Sequence, residues 1–406
     1  MKILMAHNFY QSSAPSGEDA VFKSECELLK KNGIDVITYE KYNDDIVTGL
    51  NKLKTAFTAV WSRKTYKELK NLLAKEKPDL VHFHNIWYLI TPSAYYACKD
   101  AGVPVVQTLH NYRMFCANGL LLRDGKVCEE CIGNLPWRGI KYGCYRESRL
   151  YSTPMVLTES IYSIAGTWKD KVDAYIALTE FGKKKFTECG LPGSAIFIKP
   201  NFLSDPPEPS YSHEDYVLFL GRLSREKGIS VLLDAAKKLD DLAGPLKVKI
   251  VGDGPLRKEL EEKVKSEKIN SIEIVGKKNS GECMTLLKGA CFMAMPAICY
   301  ENFPMAIREA YACGKTVVAS RLGAMAELVQ DRRTGLLFEA GNSDDLAAKI
   351  KWMLENEEAC IEMGRNARKV FEEKYTAEKN FEILLKIYKK VIDNSKQGFK
   401  GKDQGI

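Results

Sequence analysis

Two glutamates, Glu301 and Glu309, lie with seven residues between them in Tyr300-Glu-Asn-Phe-Pro-Met-Ala-Ile-Arg-Glu-Ala-Tyr-Ala-Cys-Gly314. A short apolar run at 292–295 precedes the stretch and a β-branched run at 316–320 follows it. The pattern reads strand, loop, helix, loop, strand, with Pro304 suited to the first helical turn and Gly314 to the helix end. Glu301 then sits in the loop at the carboxyl end of a strand, and Glu309 between one and two turns into the helix, where open parallel sheets present ligand-binding groups. Amides and dipole at such a helix start can hold a diphosphate. The carboxylates can accept hydrogen bonds from sugar or ribose hydroxyls. Two solvated glutamates would have the same spacing, so the rest of the chain must supply the agreement.

Tyr216-Val-Leu-Phe-Leu-Gly-Arg-Leu-Ser-Arg-Glu-Lys-Gly228 is the strongest local signal: a strand, a glycine turn and a helix. Arg222 and Lys227 fall in the turn. A planar guanidinium grips a phosphate bidentately and an ammonium adds a point charge, with Arg225 as an alternative to either. Lys249-Ile-Val-Gly-Asp-Gly-Pro255 is a second strand ending in a glycine turn. It lacks the third glycine of a dinucleotide fingerprint and carries a proline where the helix begins, which argues against a nicotinamide or flavin enzyme. Near the start, Gln11-Ser-Ser-Ala-Pro-Ser-Gly-Glu-Asp19 joins a strand to a helix. Its small residues, Gly17 among them, let a ligand approach the backbone where the helix start favours an anion.

Four of the five histidines, His7, His82, His84 and His110, fall at or just beyond the carboxyl ends of expected strands. His82 and His84, two apart, share a strand face and could pair, although His82 could equally serve buried backbone groups. His110, in Thr-Leu-His-Asn-Tyr-Arg, is the preferred cleft histidine: it could bind a donor sugar or an acceptor hydroxyl, and as a neutral imidazole act as a base. Directly after it come Cys116, the pair Cys128-Glu-Glu-Cys131, and Cys144, in a segment without clear periodicity. The central Cys-x-x-Cys matches a chelating knuckle, and a long irregular loop needs something to order it. A tetrathiolate zinc is the favoured expectation; an iron–sulfur cluster uses the same ligands, and buried free thiols are the plain alternative. The other cysteines read as packing residues.

These residues need a frame to position them. Strand candidates at 2–6, 34–39, 80–84, 103–109, 174–178 and 196–199 alternate with helical patterns. A Pro-rich segment at 201–210 interrupts, and alternation resumes with strands at 216–220, 248–251, 272–275, 292–295 and 317–320. Such alternation predicts α/β architecture with two Rossmann-like, doubly wound parallel-sheet domains facing across a cleft. The boundaries fall at 1–205, with a Cys-rich insertion at about 112–150; at 206–375; and at 376–406, a helix with Phe381, Leu384, Leu385, Ile387, Tyr388 and Ile392 on one face, followed by a polar tail. At 406 residues the chain suits two cores, and 45% hydrophobic with 28% charged residues is the composition of a soluble globular protein. No run reaches the length of a membrane span and the start is too short for a signal peptide, giving a cytoplasmic expectation. The net charge of +7 permits attraction to phosphates or anionic lipid. Residues 50–73 mix apolar and basic side chains and could rest on an anionic membrane, or form ordinary amphipathic helices. No nucleic-acid motif occurs.

Taken together, these residues resemble the family-4 retaining glycosyltransferases of the two-Rossmann-domain, GT-B type. The resemblance is carried, over nearly the whole chain, by Ser16-Gly17-Glu18, the His110 segment, Gly221-Arg222-x4-Lys227-Gly228, Gly252-x-Gly254-Pro255 and Glu301-x7-Glu309. It implies a nucleoside-diphosphate sugar donor of UDP or GDP type and a saccharide acceptor. Arg222 and Lys227 would bind the donor diphosphate, Glu309 the ribose, and Glu301 with the following Asn302-Phe303 loop the donor sugar. It also implies that the last helix crosses back onto the first domain. The four-cysteine segment is an addition to the family pattern, and Ser16-Gly17 stands where a glycine pair is usual. No Asp-x-Asp lies at a strand end, so Arg222, Lys227 and helix amides can neutralise the leaving group with no cofactor required. No carboxylate is placed as a covalent nucleophile, which favours front-face transfer with the departing phosphate taking the acceptor proton. Competing readings are a sugar-nucleotide epimerase of the same architecture, a non-catalytic nucleotide-sugar sensor, and a metal or redox regulator built on the cysteines.

Overall fold

The computed structural model describes residues 1–12, 16–45, 60–243 and 247–400. The chain divides into two compact units. The first comprises Met1–Leu121, Cys128–Pro200 and Asn380–Ile406; the second comprises Leu122–Val127 and Asn201–Lys379.

The first unit holds a six-stranded, all-parallel sheet. In chain order its strands are β1 (Lys2–Phe9), β2 (Asp35–Tyr42), β3 (Leu80–Phe83), β4 (Val105–Thr108), β7 (Ala174–Ala177) and β8 (Ile196–Ile198), arranged β2-β1-β3-β4-β7-β8. A two-stranded hairpin, β5 (Leu122–Arg123) with β6 (Lys126–Val127), lies between β4 and β7 in the chain. β3, β4 and β7 are buried at every residue, which is why they read as continuous apolar runs rather than alternating ones. The order reverses direction between β1 and β3, so the carboxyl ends of those strands flank a crevice where ligands bind in such sheets.

The helix Gly17–Lys31 starts with a capping box: Glu18 N–H donates to Ser16 Oγ, and Ser16 N–H to Asp19 Oδ2 at 2.8 Å. It packs Phe22, Cys26 and Leu29 on the sheet. The last helix, Ala377–Lys400, returns to this unit: Leu384, Ile387, Tyr388, Val391 and Ile392 join Ile3 and Met5 in one core. Each large apolar side chain so buried contributes roughly 1.5–3 kcal/mol, so this helix is part of the core rather than an appendage.

The second unit repeats the design with β9 (Tyr216–Leu220), β10 (Lys247–Val251), β11 (Ile272–Gly276), β12 (Phe292–Met295), β13 (Val317–Ser320) and β14 (Gly335–Phe338), all parallel, in the order β11-β10-β9-β12-β13-β14. The reversal falls between β9 and β12, the two strands leading to Lys227 and to Glu301. Three glycines allow close backbone crossings there. A Cβ on Gly228 would lie 1.8 Å from Pro296 O, and one on Gly252 1.8 Å from Gly221 O. One on Gly254 would lie 2.4 Å from Leu223 O.

Candidate functional site

In the second unit β9 ends at Leu220, and Gly221–Ser224 lead into a 3-10 turn, Arg225–Lys227, closed by Gly228 at φ +65°. β12 ends at Met295 and its loop runs to Pro304, the N-cap of the helix Met305–Ala312. Two links join these loops. Ile298 N–H donates to Glu226 O at 2.9 Å, and Lys227 Nζ donates to Glu301 Oε1 at 2.5 Å. Both side chains of that ion pair are mostly buried, 23% and 14% exposed. Burial pulls the Lys227 ammonium down, but Glu301 more than offsets it and holds it above its ordinary value.

Arg222 is exposed, and its guanidinium makes no ion pair among the described residues. Glu309, one turn into the helix, accepts from Arg308 Nη2 at 3.0 Å. Burial lifts the Glu309 carboxyl above the usual range despite that partner. Arg308 is itself buried and donates through Nη1 to Phe202 O. Asn302 and Phe303 are buried in the same loop, with Phe303 edge-on to Tyr375 at 5.6 Å between ring centroids. Sequence reasoning thus named groups that the strand order gathers at one edge, but it missed that Lys227 and Glu301 bind each other. It also missed Arg308 as the partner of Glu309.

In the first unit Gly17 is exposed at the start of its helix and Glu18 is turned into the protein. Burial raises the Glu18 carboxyl. Glu18, His84, Asn85, Gln107, His110 and Asn111 are among the residues lining a small cavity past the ends of β3 and β4. The histidines form a buried network. His7 Nε2 donates to Asp19 Oδ1 at 2.8 Å, and its Nδ1 accepts from Asn85 N–H at 3.2 Å, so His7 locks the first loop rather than facing a ligand. His82 engages Tyr388 Oη at 2.7 Å through Nδ1 and Thr108 Oγ1 at 2.8 Å through Nε2, a structural role. His84 Nδ1 and His110 Nε2 are 2.9 Å apart.

Behind them lies Glu25, fully buried, whose Oε2 accepts from Lys199 Nζ at 2.7 Å. Its Oε1 faces His82 Nδ1 at 3.3 Å and His84 Nε2 at 3.4 Å. These are the set of three potential metal-ligand atoms within 4.8 Å of one another among the described residues. The Lys199 ammonium already supplies the positive charge that a cation would bring. Burial alone would push the Glu25 carboxyl up; Lys199, His84 and His82 hold it well below the usual range. Burial likewise keeps His110 and His82 well below the ordinary imidazole value, with His84 adding to the effect on each, and lowers His84 as well.

A carboxylate at His84 Nε2 favours the proton there, which leaves Nδ1 to accept from His110 Nε2–H. His110 Nδ1 is then the unprotonated nitrogen. Glu25 had a sequence signal: it sits on the apolar stripe Val21, Phe22, Glu25, Cys26, Leu29 of its helix, where a solvated acid does not belong.

Cys116, Cys128, Cys131 and Cys144 are all partly buried and form no disulfide. Burial, then Cys116, Cys128 and Cys144, push the Cys131 thiol up to about 12, so the four thiols share one neighbourhood. Of the basic stretch at 50–73, residues 50–59 lie outside the described ones; within the rest, the helix Arg63–Glu76 buries Leu69 and Leu73. Among the described residues no helix is long and apolar enough to cross a membrane.

Two doubly wound units, one carrying cationic and acidic groups at its switch point and the other a histidine-lined cavity, define a glycosyltransferase of the GT-B type. Residues 203–370 match the family model of glycosyl transferases group 1, and residues 27–204 match that of glycosyltransferase family 4. The chain belongs to the family-4 glycosyltransferases. It is 28% identical over 404 residues to the uncharacterized glycosyltransferase MJ1178 of Methanocaldococcus jannaschii, covering 97% of this chain and 99% of that one. It is 29% identical over 217 residues to the phosphatidyl-myo-inositol mannosyltransferase of Mycobacterium leprae, covering 51% and 56%. The solved structure of Anabaena Alr3699/HepE in complex with UDP-glucose matches with a TM-score of 0.65 at 18% identity, covering 95% of this chain and 99% of that one.

Proposed function

We propose that the protein is a retaining glycosyltransferase that moves a sugar from a nucleoside-diphosphate sugar, of UDP or GDP type, to a hydroxyl of a saccharide acceptor. The observation that carries this reading is the pairing of Lys227 with Glu301 across the switch point of the second sheet, beside the exposed Arg222. A diphosphate entering there meets an unpaired guanidinium and an ammonium already held charged. Its arrival offers Lys227 a stronger, doubly anionic partner, and Glu301 is freed to accept from donor sugar hydroxyls. Glu309 receives the ribose.

The chemical step breaks the bond between the anomeric carbon and the phosphate oxygen. It forms the bond from the acceptor oxygen on the same face, and the acceptor proton passes to the departing phosphate. Arg222 and Lys227 neutralise the charge that develops on the leaving group. His110, neutral with Nδ1 unprotonated, orients a donor-sugar or acceptor hydroxyl by accepting from it.

The acceptor in this reading is lipid-linked. The helix Arg149–Ile164 leaves Leu150, Leu157, Ile161 and Ile164 exposed, 78%, 39%, 44% and 73%, at spacings that place them along one face. Arg146 and Arg149 at the helix start add positive charge. Apolar residues with a basic rim suit an anionic bilayer surface. The name of the mycobacterial relative, a phosphatidyl-myo-inositol mannosyltransferase, supports the same acceptor class.

Thermal shift with a panel of nucleotides and sugar nucleotides tests the donor site. A ligand at about a hundred times its dissociation constant adds roughly 2.7 kcal/mol to the folded state. Stabilisation of the wild type and not of Arg222→Ala/Lys227→Ala is the expected result; equal shifts in both would overturn the assignment. The anomeric configuration of product formed from the stabilising donor, read by NMR, tests retention.

A further inference from the structure

The segment between Asn111 and Arg149 is held in a fixed but irregular path without a disulfide. Its regular structure is a two-residue-per-strand hairpin and a four-residue helix, Arg138–Lys141. Four non-glycine residues in it adopt positive φ: Leu121 at 49°, Asp124 at 52°, Arg146 at 55° and Glu147 at 53°. Each such residue costs about 1–2 kcal/mol relative to ordinary backbone, so tertiary interactions must hold the path.

The four cysteines punctuate this path at its turns. Cys116 N–H donates to Tyr112 O at 2.9 Å, and Gly119 N–H, from a left-handed residue at φ +73°, donates back to Cys116 O at 2.8 Å. Cys128 N–H donates to Leu121 O at 2.8 Å across the base of the hairpin. Cys131 is followed by a turn in which Asn134 N–H reaches Cys131 O at 3.2 Å and Gly133 has φ +71°. Cys144 N–H donates to Gly139 O at 2.9 Å, and Gly139 packs so close to Val156 that a Cβ would lie 2.9 Å from it. Each cysteine thus sits where the chain turns back, and the sequence separations of eleven, two and twelve residues close two loops of similar size around a Cys-x-x-Cys knuckle.

A second observation is independent of the thiols. Glu159, on the helix Arg149–Ile164, is fully buried, and neither carboxylate oxygen has a hydrogen-bond partner. Burial raises its carboxyl well above the usual range. Arg113 is the cation that acts on it, through space and without an ion pair, and Arg113 Nε is also buried without a partner. A buried, unpartnered acid and a buried guanidinium nitrogen mark a place whose polar groups are not satisfied.

We propose that Cys116, Cys128, Cys131 and Cys144 bind one zinc ion that fastens the segment onto the helix Arg149–Ile164. Four thiolates are the soft, tetrahedral donor set that structural zinc takes. Binding replaces four S–H bonds by four S–Zn bonds and releases four protons to water. No three of the sulfurs lie within 4.8 Å of one another, and Cys116 directs its thiol to Asn118 Oδ1 at 3.0 Å, so binding requires more than one of these side chains to turn. A thiol turns about a single torsion, and one rotation frees Cys116. A fifth thiol, Cys189, neighbours Cys116 but lies outside the spaced set around the Cys-x-x-Cys knuckle.

Elemental analysis of the full-length wild type, purified without added metal or chelator, is expected to give one zinc per chain. Cys128→Ser/Cys131→Ser is expected to lose it, while Cys189→Ser keeps it. Growth with cobalt should give the visible absorption of thiolate-bound Co2+ in the wild type only. Iron with acid-labile sulfide, or less than a tenth of an equivalent of any metal, would overturn the proposal. So would a zinc that survives the double substitution. If the double variant does not fold, the wild-type stoichiometry and cobalt spectrum decide alone. UDP-induced thermal shift of the same samples reads the second unit separately, so a missing zinc and a missing donor site are distinguishable.

Discussion

Lys227 Nζ stands 2.5 Å from Glu301 Oε1, so the cation and the acid that a donor would recruit for different tasks are partners before it arrives. This makes their substitutions oppose each other. Glu301→Gln should leave UDP affinity unchanged or a few-fold tighter, because the ammonium no longer has a competing carboxylate, while turnover falls about 10²–10³-fold. Lys227→Ala should weaken UDP by roughly ten- to a hundredfold, the loss of a charge-assisted contact of about 1.5–3 kcal/mol. Calorimetry with UDP and initial rates with the identified donor check both; equal weakening of UDP by the two variants would show that the pair is not exchanged on binding.

The histidine network makes the protein acid-sensitive. His82 and His110 are held well below their unfolded value of about 6.5, mainly by burial. The unfolded chain therefore binds protons that the folded one refuses. That contribution to stability is complete above about pH 6.5 and is lost as pH falls toward the folded-state values. Urea unfolding should give a lower midpoint at pH 5.5 than at pH 7.5. The gap should narrow in His110→Asn; an unchanged gap in that variant would assign the effect to other groups.

Glu25 and Lys199 are both fully buried and 2.7 Å apart. Removing one partner strands the other charge, so Lys199→Ala should cost about 3–5 kcal/mol. Glu25→Leu/Lys199→Met removes both charges and should recover most of that. If the double variant is as unstable as the single, the pair matters for how it packs against the two histidines rather than for its charge balance. Chemical denaturation separates the two cases.

Gly228 and Gly33 both have positive φ, +65° and +76°, but differ in surroundings. At Gly33 a Cβ meets nothing within 4 Å, whereas at Gly228 it would overlap Pro296 O. Gly33→Ala should therefore cost about 1–2 kcal/mol, the backbone conformation alone. Gly228→Ala must also move the turn that carries Arg222 and Lys227, and should abolish the UDP-induced thermal shift even where the protein still folds.

Much of the frame was legible because parallel strands buried on both faces announce themselves as apolar runs. The expected strands at 216–220 and 292–295 coincide with β9 and β12. β14 was not expected: Gly-Leu-Leu-Phe is four residues long, carries no β-branched side chain and follows two arginines, so only its partner β13 reveals it. The hairpin β5–β6 was illegible for the same reason, being two residues per strand. Residue types and their place after strands marked Arg222, Lys227, Glu301 and Glu309 in the second unit and His110 in the first as candidates, and each lies beyond the carboxyl end of a strand of its own sheet. Their pairings were not legible, because whether Lys227 meets Glu301 depends on the adjacency of β9 and β12, which are separated in the chain by β10 and β11. The placement of Glu25 against Lys199 and two histidines is likewise a product of sheet order.

The return of the last helix to the first sheet also sets an order of events during synthesis. Tyr388, whose hydroxyl meets His82 Nδ1, and the apolar residues around it complete a core whose other members lie among the first 200 residues. Roughly 180 residues, the whole second α/β sheet among them, leave the ribosome in between, which at about 5–20 residues per second is a wait of roughly 10–35 s. Through that interval the nascent first sheet has an apolar face without its final cover, so the half translated first is the half that matures last and the one most in need of a chaperone.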